Sequence, residues 1–350
     1  MARKPKICVI GSLNIDFVTS TPRIPGPGET LTATSMTVHP GGKGANQAVA
    51  CGKAAFTAPG SQDVAVEMFG AVGADDPYYS SLLKPTLEKS GVSTAGIEQV
   101  IGTGGQTGTA TILVDEGSSG ENRILVVPGA NATVTDAKAV RDAVMEHQVP
   151  DVVVMQGEIP QKTVLELLEM FNSIDLRTCV VFNPAPMFPD GITLKALKSL
   201  AVLVVNETEC RQLFASSKGL DSGKVSGNED EPMDVAELEQ LTTSLHEKAK
   251  IDIILVTLGA RGAYFSHSTG TAGVKDRGLI SAAKVDRVVD TTAAGDSFVG
   301  YFATALARHL AHATSLDDFN VKQAATNANQ AAAKCVQRRG AMESIPWGYE

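Results

Sequence analysis

Short apolar runs recur along this chain, and longer helix-like segments separate most of them. Each run has the length of one buried strand and is rich in aliphatic residues; the runs are Ile7–Ile10, Val64–Val72, Val152–Met155, Cys179–Phe182, Val202–Val205 and Ile251–Val256. Strands that alternate with helices build a parallel sheet that is covered by helices. The pattern therefore predicts an α/β domain with a mostly parallel central sheet.

Two regions depart from this alternation. Residues from about 14 to 38 and from about 107 to 127 alternate apolar with polar side chains around turns rich in Gly, Pro and Ser, as antiparallel strands do. We interpret them as a small lid sheet on the main domain. An exposed sheet edge is often covered by a partner subunit, so we expect a homodimer through the lid. Residues 58–63 and 216–232 have the composition of surface loops.

The composition excludes several classes of protein. The 350 residues carry a formal net charge of −9, which opposes nucleic-acid binding. No stretch approaches the roughly 18 apolar residues that would span a bilayer, so no membrane association is predicted. The five cysteines form no C-x-x-C pair. Their odd number favours a reducing, cytoplasmic location without disulfides or zinc, and import into an organelle is left open.

The sequence DTTAAGD at residues 290–296 carries the strongest chemical signal. It joins a strand-like run over residues 285–289 to a predicted helix over residues 295–309. Three small residues leave the N–H groups at the helix N-terminus open to an anion such as phosphate: Ala293, Ala294 and Gly295. Asp296 follows in the first turn, where it would accept a proton from a hydroxyl beside a transferring phosphoryl group. The alternative is that Asp296 only caps the helix.

Two further segments offer polar groups for a small ligand. A Gly-Gly turn leads into a helix that carries Lys43 and Asn46 one turn apart, and both can hydrogen-bond sugar hydroxyls or a phosphate. The spacing is not that of a P-loop, and a plain structural turn is the alternative. Asn14 and Asp16 lie two residues apart after the first strand, so they share a face and can bind one polyol. Self-capping within a turn is the alternative there.

Oxygen-rich side chains also follow two later strands, at the sheet edge where α/β proteins bind ligands. Asn206 and Glu209 are candidates for magnesium on ATP, with contacts through water. Helix capping by the same pair is an equally weighted alternative. Thr257, Gly259 and Gly262 follow the next strand and suit the phosphate tail of a nucleotide.

Seven segments, in order along the chain, resemble the ribokinase family of carbohydrate kinases, also called the PfkB family. They are GSLNID at 11–16, PGPGET at 25–30, GGKGANQA at 41–48, GAN at 129–131, NPAP at 183–186, NETE at 206–209 and DTTAAGD at 290–296. The resemblance implies a Rossmann-like three-layer αβα domain over residues 1–350 with a β-sheet lid. It also implies a nucleotide-binding part over about residues 200–345, ATP and Mg²⁺ as cofactors, and D-ribose 5-phosphate as the product.

The resemblance further implies roles for individual residues. Asp296 would activate the primary hydroxyl of the sugar, and the other sugar contacts would be Asn14, Asp16, Gly42, Lys43, Asn46 and Glu158. Members of the family use a monovalent cation, normally K⁺, beside the anion hole. The matching cation ligands are the side chains of Asp290 and Ser344 and the carbonyls of Thr292, Cys335, Arg338 and Gly340. The adenine position falls at Asn329.

Several alternatives stay open at this point. Within the kinase class, the sugar acceptor can be 2-deoxyribose or a ketohexose, or the acceptor can be a nucleoside. A nucleoside favours an aromatic platform for its base, whereas the lid segment over residues 107–114 is small and aliphatic. From a different class, the chain can be a sugar-binding protein without catalysis, since a fold does not fix a function.

Overall fold

A computed structural model describes residues 3–102, 105–118, 121–146, 148–173, 178–217, 231–268 and 273–350. Most of the predicted loop over residues 216–232 lies outside these ranges. In the described part of the chain, no helix is long and apolar enough to cross a membrane.

The elements alternate largely as the sequence predicts. The strands are β1 Lys6–Ile10, β2 Asn14–Thr21, β3 Ser35–Gly41, β4 Phe56–Ala58, β5 Ser61–Gln62, β6 Ala65–Gly73, β7 Val92–Val100, β8 Gly108–Asp115, β9 Glu121–Val127, β10 Val152–Met155, β11 Cys179–Phe182, β12 Val202–Asn206, β13 Ile253–Thr257, β14 Ala263–Ser268 and β15 Val274–Ile280. The α-helices are α1 Lys43–Ala54, α2 Lys84–Lys89, α3 Ala137–Met145, α4 Gln161–Phe171, α5 Leu194–Leu197, α6 Glu207–Ser216, α7 Val235–Ala249, α8 Ala294–Leu310 and α9 Val321–Cys335. A π-helical turn, Tyr79–Leu83, precedes α2.

The central sheet has nine strands among the described residues, in the order β15-β14-β13-β12-β11-β10-β1-β6-β7. All neighbouring pairs from β13 to β7 are parallel, and β14 and β15 add an antiparallel edge. The strand order reverses between β1 and β10. Such a reversal opens a crevice at the carboxyl ends of the strands, which is where open α/β sheets bind ligands.

Hydrophobic cores cover both faces of this sheet. Ile7 and Val9 of β1 point to one core, which α1, α8 and α9 complete, whereas Cys8 and Ile10 point to the other, which includes α3, α4, α6 and α7. Because a strand that is buried on both faces needs apolar side chains at every position, its sequence is a continuous apolar run. The predicted three-layer arrangement with a mostly parallel sheet is confirmed.

The lid is a separate four-stranded sheet within the described residues, in the order β3-β2-β8-β9. The expectation of antiparallel strands is only partly right, because β2 and β8 pair in parallel while the two outer pairs are antiparallel. The parallel pair arises because β2 and β8 both leave the carboxyl edge of the main sheet. The third strand also continues past the predicted end at residue 38 to Gly41, which pairs with Asn14.

Two local predictions need correction. Residues 285–289 form no strand, and Val288 and Val289 are exposed. Instead of pairing with a strand, the N–H groups of Val289 and Asp290 donate to the carbonyl of Val336. Residues 58–63 form no plain loop either, since β4 and β5 pair there as a small ribbon.

Candidate active site

A cavity of about 420 Å³ lies between the lid and the carboxyl edge of the central sheet, at the strand reversal. The lid contributes aliphatic side chains to its walls, and the main domain contributes most of the polar ones. Its polar walls include Asn14, Asp16, Lys43, Asn46, Asn122, Glu158, Asn183, Asn206, Glu209, Thr257 and Asp296. The structure thus brings every predicted sugar contact and Asp296 to one cavity.

The Gly-Gly turn before α1 is shaped by close packing. Gly42 has a φ of 87°, which side-chain-bearing residues rarely adopt. A Cβ added at Gly41 would lie 2.1 Å from the Asp16 carboxylate, and one at Gly42 would lie 2.8 Å from the backbone nitrogen of Asn14. The glycines therefore let the start of α1 approach the two polar residues of β2.

Asn14 is fixed by a second asparagine. Asn131 donates from Nδ2 to Asn14 Oδ1 at 2.8 Å, and its own Oδ1 accepts the N–H of Leu13 at 2.9 Å. Both side chains are almost fully buried. With its oxygen occupied, Asn14 presents its amide N–H groups as donors to a ligand.

Asp16 is held differently, because its Oδ1 is buried and has no hydrogen-bond partner among the residues that the structure describes. Burial, together with the negative charges of Glu158, Asp296 and Glu343, raises the pKa of Asp16 to about 7. The Oδ1 of Asn46 is also buried and unpartnered among the described residues. Buried acceptors without partners are costly, so these two oxygens are suited to hydroxyl donors of a ligand.

Glu158 joins β10 to the start of α1. Its Oε2 accepts the N–H of Lys43 at 2.8 Å and the hydroxyl of Ser12 at 2.5 Å. A carboxylate at this position satisfies one of the unpaired N–H groups at the helix N-terminus. The Asp296 carboxylate raises the pKa of Lys43, which remains an ammonium group.

Asp296 is 6% exposed and lies in the first turn of α8. Asn46 Nδ2 donates to its Oδ2 at 3.1 Å, and Gln47 Nε2 donates to its Oδ1 at 3.0 Å. The residue that precedes the helix, Ala293, has a left-handed φ of 60°, which is uncommon for a residue with a Cβ. Asp296 therefore does not act as the helix cap, since Ala293 occupies the cap position.

The N-terminus of α8 opens onto the cavity. Ala293 and Gly295 line it, and apart from adjacent residues and the backbone of α8 itself, no atom of the described residues lies within 4 Å of a Cβ added at Gly295. The first N–H groups of a helix have no partner within the helix, and the helix dipole adds partial positive charge there. Of the three predicted anion-hole residues, Ala293 and Gly295 therefore line the cavity that Asp296 also lines, whereas Ala294 does not line it and donates its N–H to the carbonyl of Thr291 at 3.3 Å.

Asn206 and Glu209 both line the cavity and also form a capping box at the start of α6. Asn206 Oδ1 accepts the N–H of Glu209 at 2.8 Å, and Glu209 Oε2 accepts the N–H of Asn206 at 2.8 Å. The capping alternative is thus present in the structure. Burial raises the pKa of Glu209, and its second oxygen remains available to the cavity.

The other predicted nucleotide residues divide into two groups. Thr257 lines the cavity beside Asn206, its partner in the neighbouring strand. Gly259 and Gly262 form the tight turn after β13, and a Cβ at Gly262 would lie 2.0 Å from the carbonyl oxygen of Ile280. Asn329 donates to the carbonyl of Ser281 at 2.9 Å. These last three residues do not line the cavity.

The six residues that the resemblance assigns to a monovalent cation form one connected cluster. Asp290 accepts from the N–H of Thr292 at 2.9 Å and from the N–H of Gly340 at 3.0 Å. Cys335 Sγ lies 3.0 Å from Ser344 Oγ and 3.5 Å from the carbonyl of Thr292, and the carbonyl of Cys335 accepts the N–H of Arg338 at 3.0 Å. The ligand set predicted here consists of oxygens, which suits a hard cation.

Three buried amides belong to the site although sequence reasoning missed their roles. Gln47, Gln156 and Asn183 are at most 8% exposed and connect to Asp296 through hydrogen bonds. The only signal in the sequence was a polar residue directly after, or within, an otherwise apolar segment. That signal does not reveal which amide meets which partner.

The fold and the site together define a kinase of the α/β class that acts on carbohydrates. The pfkB family carbohydrate kinase pattern matches residues 4–348, and the chain belongs to this family.

Named relatives agree with this assignment. The ribokinase of Schizosaccharomyces pombe is 34% identical over 346 residues, which cover 97% of this chain and 94% of the relative. The deoxyribokinase of Salmonella typhi is 32% identical over 298 residues, which cover 85% of this chain and 84% of the relative. The structure of Arabidopsis thaliana ribokinase complexed with ribose and ATP has a TM-score of 0.77 and 25% identity, and the match covers 99% of this chain and 97% of that one.

Proposed function

We propose that this protein transfers the γ-phosphoryl group of ATP to the 5-hydroxyl of D-ribose, giving D-ribose 5-phosphate and ADP, with Asp296 as the catalytic base. The observation that carries the proposal is the pair of unpartnered buried oxygens, on Asp16 and Asn46, in the same cavity as Asp296. Hydroxyl groups of a compact polyol supply the missing donors. The ribokinases among the relatives, including one solved with ribose and ATP, support ribose as that polyol.

The chemistry follows from the arrangement of donors and acceptors. Asp296 accepts the proton of the sugar 5-hydroxyl while the oxygen of that hydroxyl forms a bond to the γ-phosphorus. At the same time, the bond between the γ-phosphorus and the β–γ bridging oxygen breaks, and ADP leaves. The N–H groups around Ala293 and Gly295, at the N-terminus of α8, stabilise the charge on the phosphoryl oxygens. The ammonium group of Lys43 also lines the cavity and opposes negative charge.

Mg²⁺ would accompany ATP and neutralise charge between its phosphates. Glu209 is the better of the two predicted ligands, because the only side-chain oxygen of Asn206 already accepts a hydrogen bond. We propose that Glu209 holds a magnesium-bound water and that Thr257 and the amide of Asn206 contact the phosphates. Gly259, Gly262 and Asn329 would lie along the rest of the nucleotide.

A monovalent cation, K⁺, would occupy the cluster around Asp290 and Ser344. When bound, it would add positive charge near Thr292, which precedes the anion-hole residue Ala293. Asp290 already links the loop that carries Thr292 to the loop that carries Gly340. K⁺ is therefore expected to raise the melting temperature in the absence of substrates, whereas Na⁺ at equal ionic strength raises it less.

2-Deoxyribose is the second candidate acceptor, because a deoxyribokinase is among the relatives. A nucleoside is disfavoured, since the apolar residues that the lid contributes to the cavity are Ala110, Ile112, Ile124 and Val126, and no aromatic ring lines the cavity among the described residues. The test is ADP release with Mg²⁺ and K⁺ on ribose, 2-deoxyribose, fructose and adenosine. Preference for ribose supports the proposal. Preference for another acceptor shows that the kinase acts on that acceptor and not on ribose. No turnover on any of the four favours a sugar-binding protein without catalysis.

We also propose that the protein is a homodimer through the lid and works in the cytoplasm. The outer lid strand β9 exposes Leu125 and Val127 by 68% and 58%, on the face opposite to Ile124 and Val126. Exposed apolar strands of this kind are commonly covered by another subunit.

The proposed cytoplasmic location rests on the cysteines. All five cysteines are free thiols, which suits a reducing compartment.

A further inference from the structure

Gln47 is hydrogen-bonded directly to the proposed catalytic base, Asp296. It is 0% exposed and does not line the cavity. Its Nε2 donates to Asp296 Oδ1 and to Asn183 Oδ1, both at 3.0 Å, and its Oε1 accepts from Gln156 Nε2 at 2.8 Å. All its hydrogen-bonding groups are therefore occupied, and none is available to a ligand.

The direction of this amide is determined by its neighbours. Asn183 Nδ2 donates to the backbone carbonyl of Val204 at 2.9 Å. Because a carbonyl can only accept, the Nδ2 of Asn183 must face Val204, and its Oδ1 then faces Gln47. This oxygen requires a donor, so the side chain of Gln47 directs its Nε2 toward Asn183. The same nitrogen then meets Asp296. The backbone carbonyl of Val204 thus determines the orientation of the Asn183 and Gln47 side chains, and this orientation directs the Nε2 donor of Gln47 to the Asp296 carboxylate.

The two oxygens of Asp296 are held by consecutive residues of one helix. Gln47 binds Oδ1, and Asn46 binds Oδ2 at 3.1 Å. Asn46 also lines the sugar cavity, and Lys43 lies one turn earlier on α1. The carboxylate is therefore positioned by the same rigid element that contacts the substrate.

The surroundings also favour a neutral donor at this place. The ionisable groups that interact electrostatically with Asp296 include Lys43, Asp16, Glu209 and Cys335, from four different elements. An amide donates to the carboxylate without adding a net charge to this set. A second carboxylate at the same distance would compete for a proton, because like charges this close disfavour joint ionisation.

We infer that Gln47 is a positioning residue for phosphoryl transfer, which orients the Asp296 carboxylate toward the sugar hydroxyl through the hydrogen-bond chain from Val204 and Asn183. This inference rests on the proposed role of Asp296 as the base. A purely structural role would instead be to satisfy polar groups between α1 and the sheet. The two roles differ in what removal of the donor does to turnover and to its pH dependence.

The experiment compares Gln47→Leu, Gln47→Glu and the wild type in steady-state kinetics of ribose phosphorylation between pH 5 and 9. Gln47→Leu is expected to lower kcat by about 10- to 100-fold, because small misplacements of a reacting group cost about this much, while KM for ribose changes less than about threefold. Gln47→Glu is expected to move the acidic limb of the kcat profile to higher pH. The matched control is Gln62→Leu, since Gln62 also donates to a carbonyl, that of Gly91, but lies far from the site.

Stability is measured in parallel by thermal denaturation, and sugar binding by calorimetry. If Gln47→Leu fails to fold, Gln156→Leu tests the orientation of Gln47, because it removes the donor to Gln47 Oε1 and, unlike Asn183, Gln156 does not line the cavity. Wild-type kcat and an unshifted pH profile in a folded variant would overturn the inference, as would a loss confined to melting temperature. If the wild type prefers another sugar, only the substrate assignment fails, and the variants are compared on that sugar. A fully active Asp296→Asn variant overturns the base and this inference together.

Discussion

At the scale of single residues, Asp16 links sugar binding to pH. Its pKa is raised to about 7 by burial and by neighbouring carboxylates. The sugar hydroxyls donate to the ionised carboxylate of Asp16 in the proposed complex. Below pH 7, most of the Asp16 side chains are protonated in the free protein, so less of the sugar-binding form is present. With this pKa, ribose affinity is expected to be about tenfold weaker at pH 6 than at pH 8. Calorimetric titrations with ribose across this range measure the effect, and an affinity that does not change would contradict it.

The same shift makes Asp16 a source of instability in the protein without sugar. The carboxyl binds its proton more tightly in the folded state, at a pKa of about 7, than in the unfolded state, at 3.8. The fold therefore loses stability as pH rises from about 4 to about 7. Asp16→Asn is expected to raise the melting temperature relative to the wild type at pH 8 but not at pH 4, and to abolish ribose binding. An equal change at both pH values would show that ionisation of Asp16 is not the cause.

Sequence motifs could identify the site residues whose role follows from their immediate neighbours along the chain. Asp296 and Gly295 stand together at a helix start, and Lys43 and Asn46 lie one turn apart. The contribution of Gln47 was not predictable, because its partners Asn183 and Gln156 lie more than a hundred residues away along the chain. Hydrogen-bond direction depends on which groups meet in the folded protein, and a motif does not contain that information.

At the scale of elements, two glycines of α8 have opposite functions. A Cβ at Gly295 meets no atom of the described residues within 4 Å apart from adjacent residues and the backbone of α8 itself, whereas one at Gly300 would lie 2.3 Å from the Cβ of Ala50 in α1. Gly295→Ala should leave the melting temperature unchanged or higher, since alanine favours helix, and should lower activity by narrowing the phosphate site. Gly300→Ala should destabilise the fold by about 1–3 kcal/mol through overpacking. Thermal denaturation and kinetics of the two variants check this, and a destabilised Gly295→Ala would refute the open anion site.

The strands of the central sheet were predictable for a physical reason. A strand such as β10, Val152–Met155, is fully buried, so its entire sequence is apolar and its ends are sharp. Residues 285–289 also contain three valines but form no strand, and Val289 instead donates its N–H to the carbonyl of Val336, after α9. The parallel pairing of β2 with β8 depends on how both strands leave the main sheet, which alternation alone does not encode.

At the scale of the whole molecule, the lid predicts the oligomeric state. If Leu125 on its outer face is covered by a second subunit, Leu125→Glu should give a monomer, because a charge in an apolar interface is strongly unfavourable. The control is Val149→Glu, at a site that is exposed but far from the lid, and it should remain a dimer. Light scattering after size-exclusion chromatography measures the masses. A wild-type monomer, or a dimeric Leu125→Glu, would place the interface elsewhere or remove it.

The central claim joins the cavity, the sugar and the base, and Asp296→Asn tests it most directly. Asparagine keeps the size of the side chain but cannot accept the proton of the 5-hydroxyl. Turnover of ribose with Mg²⁺, ATP and K⁺ is expected to fall by about 10²- to 10⁴-fold, the usual contribution of a general base, while calorimetry shows ribose affinity within a few-fold of the wild type. Retained turnover, or the loss of both turnover and ribose binding in a folded protein, would contradict the assignment of Asp296 as the catalytic base.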